Sequence, residues 1–206
     1  PETAAGYMLT MSETIEFAHQ AGVLHRDLKP SNVLLDEQNK PLLTDFGLAK
    51  QVNDGSELTM SGTVVGTPSY MPPEQASARA DDVDVRSDVY SLGAILYELI
   101  TGVPPFRAAT TFDTLQQVLK TEPVSPRMLN PAVPVDLETI CLKCLQKERG
   151  KRYASAQELA DEIQRFIDGV PIHARPVSRA ERVLRWCKRN PRVAALSGAT
   201  IAGTLA

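Results

Sequence analysis

The feature that most constrains this chain is the run Val89, Leu92, Ile95, Leu96, Leu99 and Ile100. At helical period these residues make a helix apolar over much of its girth, and such a helix has to be buried. Gly102 closes it, and Pro104 and Pro105 come next. The rest of the chain must cover it. Residues 3–21 carry Tyr7, Met8, Met11, Ile15 and Ala18 at helical spacing, closed by Gly22. Phe112, Leu115, Val118 and Leu119 predict another helix, and residues 135–145 a third. The last begins at Ser155 with Glu158 three residues on, a capping-box pattern. Its face is Leu159, Ile163, Phe166 and Ile167, and Gly169 stops it. Only two short strands are predicted, Val33–Leu35 and Leu42–Thr44, joined by a turn over Asp36–Lys40. The expected fold is mainly α with a small β-hairpin. Residues 48–73 lack periodicity and read as a long loop, a length that in a compact domain is usually functional or disordered.

The hairpin sits inside LHRDLKPSNVLLDEQNKPLLTDFGLAK, Leu24 to Lys50, where Asp27, Lys29, Asn32 and Asp45 stand among apolar residues. Asp27 and Asn32 share the loop before the first strand, and Asp45 comes after the second, so the hairpin folds Asp45 back toward Asn32. Alone, either aspartate could be a turn residue. Together they offer a carboxylate to accept a hydroxyl proton, hard oxygens for Mg²⁺ and a positive charge, the parts that phosphoryl transfer requires.

HRDLKPSN matches the kinase catalytic-loop pattern H-R-D-L-x-x-x-N, and Asp45-Phe46-Gly47 is the kinase metal motif. Over about residues 1–169 the chain resembles the C-terminal lobe of a bacterial-type serine/threonine protein kinase. The resemblance implies that Asp27 is the proton acceptor and that Lys29 contacts the γ-phosphate of ATP. It implies that Asn32 and Asp45 hold Mg²⁺, and that His25 and Phe46 pack the catalytic core. GTPSYMPPEQ, residues 66–75, resembles the substrate-docking loop and the Ala-Pro-Glu motif, with Pro72 where the family usually has Ala. There Thr67 would bond near Asp27 and Lys29, and Glu74 would pair with Arg152. The alternative for Arg152 is an ordinary surface ion pair. Asp88, in RSDVYSLG, would hydrogen-bond the catalytic-loop backbone, or cap its helix, or both. Lys29 and the GTPSY segment resemble serine/threonine kinases, since tyrosine kinases usually differ at both. Arg26, before the catalytic aspartate, marks family members switched on by loop phosphorylation. Thr59, Ser61 and Thr63 are the candidate acceptors, with Thr59 and Ser61 favoured. Otherwise they are plain loop hydroxyls.

No GxGxxG precedes residue 25, and neither a VAIK lysine nor a regulatory-helix glutamate is found. The chain also opens on Pro1, without a signal pattern. The expectation is a fragment without the N-terminal lobe, carrying the acceptor and metal ligands but unable to phosphorylate by itself. Two other readings stand beside it: a non-catalytic kinase-like scaffold, and a small-molecule phosphotransferase of kinase-like fold, although those resemble HxD…DxD more. The net charge of -3 argues against nucleic acid as a partner. ATP and proteins bearing Ser or Thr are the expected ones.

Cys141 and Cys144 form a CxxC without a second pair, and helix-face residues at i and i+3 are the simpler reading. Arg175, Arg179, Arg182, Arg185, Lys188, Arg189 and Arg192 face Glu181 alone, and VAALSGATIAGTLA comes after them without charge. Residues 170–192 resemble the juxtamembrane region of membrane-anchored bacterial kinases. Residues 193–206 read as the start of a transmembrane helix with its basic flank on the cytoplasmic side, or as a loose apolar tail.

Overall fold

The computed structural model describes residues 1–46, 68–77 and 82–175. In chain order these form α1 (Glu2–Gln20), β1 (Val33–Leu35), β2 (Pro41–Leu43), α2 (Pro73–Ala76), α3 (Val85–Thr101), α4 (Thr111–Lys120), α5 (Pro126–Leu129), α6 (Val135–Cys144) and α7 (Ala156–Ile167). Short 3-10 turns lie at Pro30–Asn32, Pro68–Tyr70 and Arg149–Lys151.

The all-round apolar helix is the axis of the fold. Val89, Tyr90, Leu92, Ala94 and Leu96 of α3 are fully buried. Asp84 caps it, accepting from the Arg86 amide at 2.8 Å, and the Ser87 hydroxyl accepts from the Asp84 amide in return. Gly102, at φ 81°, turns the chain away in a left-handed conformation that residues with a Cβ rarely adopt. α1 packs on α3 and α7 through Ala5, Met8, Met11 and Ile15. α6 meets α3 at Gly93, where an added Cβ would lie 2.3 Å from Cys144 Cβ. The CxxC is therefore a packing face, with Cys141 Sγ 3.6 Å from the Gly93 carbonyl. Burial pushes the Cys144 thiol up to about 12 and Cys141 well above its ordinary value.

The strands pair antiparallel, Val33 with Leu43 and Leu35 with Pro41. Pro41 opens β2, one residue before the predicted start, where its missing N–H costs least. Asp36 Oδ1 shapes the turn, accepting from the Gln38 and Lys40 amides.

Four details differ from the periodicity. Leu99, in the apolar run of α3, is 44% exposed, because the last turn of the helix is covered on one side only. In α4 the inward residues are Thr114 and Val118, and Phe112 is exposed. Phe112 stands six residues from Val118, about 240° around the helix. In α7, Ile167 is exposed, because the helix has run past the body it packs on, and Ala156 and Ala160 complete the face instead. Ser155 caps α7, but the Glu158 carboxylate reaches the Ala154 amide, one residue beyond the cap.

After Gly169 (φ 65°) the chain stays on the body. Ile172 is buried, Glu162 accepts from the amides of His173 and Ala174, and Arg175 Nε bonds Asp136 at 2.6 Å. Residues 170–175, expected to begin a linker, are thus packed. Among the described residues no helix is long and apolar enough to cross a membrane. The segment 193–206 lies outside them.

Candidate active site

Asp27 lies between α1 and the hairpin, and local geometry gathers the polar set around it. Pro30 starts the 3-10 turn, which brings Lys29 and Asn32 back over Asp27. Lys29 Nζ donates to Asp27 Oδ2 at 2.7 Å, and Asn32 Nδ2 donates to the Asp27 carbonyl at 2.8 Å and to Oδ2 at 3.3 Å. Oδ1 receives no hydrogen bond from any described residue. The site is wet, with the Lys29 and Asp27 side chains 27% and 48% exposed. Thr44 ties the far end of the hairpin to Asn32, its amide donating to the Asn32 carbonyl at 3.0 Å. Asp45 comes next in a left-handed conformation, φ 63°.

The loop is held from beneath by α3. Asp88, 1% exposed, accepts from the His25 amide through Oδ2 and from the Arg26 amide through Oδ1, both at 2.9 Å. Arg26 has φ 67°, a backbone state costing about 1–2 kcal/mol for a residue with a Cβ. Two grips hold it there: Asp88 on its amide and Gln75 Nε2 on its carbonyl at 3.0 Å. The cap of α3 is Asp84, so the helix-cap reading of Asp88 falls away. His25 is buried, with Nε2 2.9 Å from the Thr44 carbonyl and its ring 4.7 Å from that of Phe46.

Glu74 and Arg152 form a second, dry constellation. Arg152 Nη1 and Nη2 meet Glu74 Oε1 and Oε2 at 2.7 and 2.8 Å, with side-chain exposures of 0% and 5%. The guanidinium also donates to the carbonyls of Gln146, Lys147 and Arg86, and Ser87 Oγ donates to Glu74 Oε1. The surface-pair reading of Arg152 does not survive this burial. Burial by itself would raise the Glu74 carboxyl. The hydrogen bonds and charge of Arg152, with the Ser87 hydroxyl, outweigh it and hold the carboxyl below the ordinary glutamate range.

The protein kinase domain family matches residues 1–163. The chain belongs to that family. Among curated proteins, this kinase chain is 37% identical over 174 residues to serine/threonine-protein kinase PknB of Mycobacterium leprae, covering 84% of the chain and 28% of the relative. It is 38% identical over 184 residues to PknB of Mycobacterium tuberculosis, covering 88% and 29%. To the probable serine/threonine-protein kinase SCO3848 of Streptomyces coelicolor it is 37% identical over 175 residues, covering 84% and 26%. The chain thus spans under a third of the length of these relatives.

In this kinase chain Asp27, Lys29 and Asn32 are brought together, Asp45 stands after the hairpin that closes on Asn32, and Asp88 underlies the loop. Thr59, Ser61, Thr63 and Thr67 lie outside the described residues. Sequence reasoning missed His19, whose Nε2 lies 2.7 Å from Asp88 Oδ2, both side chains being buried. Its place four residues after Ile15 on the inward face of α1 was the available signal. It also missed Gln75 and Ser87, whose roles depend on contacts across α2 and α3 that no spacing reveals. Tyr70 is a third: its hydroxyl bonds Glu98 of α3, and burial first, then that carboxylate, raises its pKa.

Proposed function

We propose that the chain is the catalytic-loop half of a serine/threonine protein kinase that transfers the γ-phosphoryl group of ATP to Ser or Thr hydroxyls of proteins. The observation that carries this is the Asp27 carboxylate. Its Oδ2 is engaged by Lys29 and Asn32, which leaves Oδ1 to accept the proton of an incoming hydroxyl. Lys29, already beside that carboxylate, can turn its ammonium to the transferred group. Asn32 and Asp45 fit Mg²⁺. Among the described residues Asn32 Oδ1 accepts only a long contact, 3.5 Å from the Ser31 hydroxyl, and Asp45 Oδ2 only one of 3.4 Å from the Thr44 hydroxyl, which leaves both oxygens available to a hard cation. When bound, the metal would neutralise charge on the nucleotide phosphates.

Residues over the nucleotide would come from outside these 206, so the chain by itself would bind ATP poorly and transfer nothing. The test joins the chain to a kinase N-terminal lobe. Mg·ATP-dependent phosphorylation of serine and threonine peptides, but not tyrosine peptides, is expected with the lobe and not without it. Such transfer excludes the scaffold alternative. Transfer by the lone chain, or by a joined Asp27→Asn variant at an undiminished rate, contradicts the reading.

Arg26 is the proposed receiver of loop phosphate, since its guanidinium takes no hydrogen bond or ion pair among the described residues. A phosphate on Thr59 or Ser61, less so Thr63, would pair with it bidentately and order the docking loop. Mass spectrometry of the joined, active protein should find phosphate on Thr59 or Ser61. Full activity in the Thr59→Ala/Ser61→Ala/Thr63→Ala variant removes this switch. Thr67 is assigned to the catalytic loop instead. Residues 1–169 are proposed as the lobe, 170–192 as a basic juxtamembrane segment and 193–206 as the beginning of a membrane anchor, with the kinase on the cytoplasmic side.

A further inference from the structure

We propose that the proline-rich ridge of residues 123–135 lies flat against an anionic bilayer surface. The proposal rests on the membrane-anchored reading and adds which face of the lobe meets the lipid. Val124, Met128, Leu129 and Val135 are exposed on this ridge, Met128 at 77%. Exposed Val103 adjoins them, because Asn130 Nδ2 bonds the Ile100 carbonyl at the end of α3 and the Tyr97 hydroxyl bonds the Val124 carbonyl. The sequence PVSPRMLNPAVPV holds a single charge, Arg127, whose long stem lets its head reach phosphate level. Pro123, Pro126, Pro131 and Pro134 have no N–H to leave unbonded in a less polar medium. The remaining polar side chains are occupied. Ser125 Oγ donates to Glu138, and Asn130 Oδ1 accepts from the Ala132 amide.

Charge selects the occupant. Two acidic groups bordering the ridge are bonded, Glu138 by Ser125 and the Arg127 amide, Asp136 by Arg175. Glu122 stands at its margin. Arg175, the last described residue of the body, is fixed on the first turn of α6, directly after the ridge. The basic run from Arg179 to Arg192 begins four residues later in the sequence. Residues 176–192 reach at most about 60 Å even fully extended. A basic run drawn to anionic lipid therefore brings this end of the lobe to the bilayer, and the end so presented is apolar.

The test uses the 206-residue chain with Cys187→Ser and an environment-sensitive fluorophore on Met128→Cys. Cys141 and Cys144 are buried and stay unlabelled. A C-terminal histidine tag holds the chain on vesicles containing nickel-chelating lipid, with or without phosphatidylglycerol. On anionic vesicles the label at 128 should brighten by roughly two-fold or more and be quenched by brominated lipid, as expected for shallow insertion. A label on Phe17→Cys, exposed on α1, should not change. Equal behaviour of the two labels on vesicle-held protein overturns the proposal. So does brightening without lipid as protein concentration rises, which would assign the ridge to a second copy. The anchoring reading fails separately if untagged chain stays in the supernatant of anionic vesicles, and the tagged arm still reads the ridge.

Discussion

The catalytic loop and the Glu74–Arg152 node both set carboxylates against cations, and they do so in opposite environments. At Glu74 every oxygen is bonded, the pair is dry, and its partners come from α3 and from the segment after α6. At Asp27 one carboxylate oxygen receives nothing from the described residues, the pair is open to water, and its bonds are made within six residues of chain. A saturated buried pair can only hold structure. A carboxylate with a free, solvated oxygen can exchange a proton with a substrate. The two environments are linked through α3, where Ser87 bonds Glu74 and the next residue, Asp88, holds the loop that carries Asp27.

The largest effect is expected at Arg152. Arg152→Met leaves Glu74 buried without its cation and should cost about 3–5 kcal/mol in urea denaturation of the chain. Glu74→Met/Arg152→Met should be less destabilised than Arg152→Met. If the double variant is the worse, the pair contributes more than its burial costs. Asp27→Asn should show the reverse profile. In the joined kinase kcat should fall by roughly 100-fold or more, with unfolding free energy within about 0.5 kcal/mol of wild type. Equal damage to stability would place Asp27 in the structural class with Glu74.

Gly93→Ala probes the axis that joins the two regions, and overpacking against Cys144 Cβ should cost about 1–3 kcal/mol. Cys144→Ala should not rescue it, because alanine keeps the clashing atom. Acid gives the smallest effect. The folded pKa of Glu74 is depressed, so its contribution is complete above the unfolded glutamate value of about 4.3 and is lost as pH falls through the folded value. Unfolding measured from pH 5 downward should show a slope that Glu74→Gln flattens. The same slope in the variant would assign acid sensitivity to other carboxylates.

Sequence by itself determined the helical body, the hairpin and the gathering of Asp27, Lys29 and Asn32 ahead of Asp45, because these depend on short-range periodicity and on residues close along the chain. The family resemblance added Asp88 and the Glu74–Arg152 pair, which no local pattern contains. Tertiary structure alone decided that Asp84 rather than Asp88 caps α3, that His19 joins Asp88, that Gln75 grips the Arg26 carbonyl and that Phe112 and Ile167 face outward. Each turns on which side of a helix meets another element. That choice is made by packing the whole body around α3, and residues distant in sequence, such as Gly93 and Cys144, set it by contact.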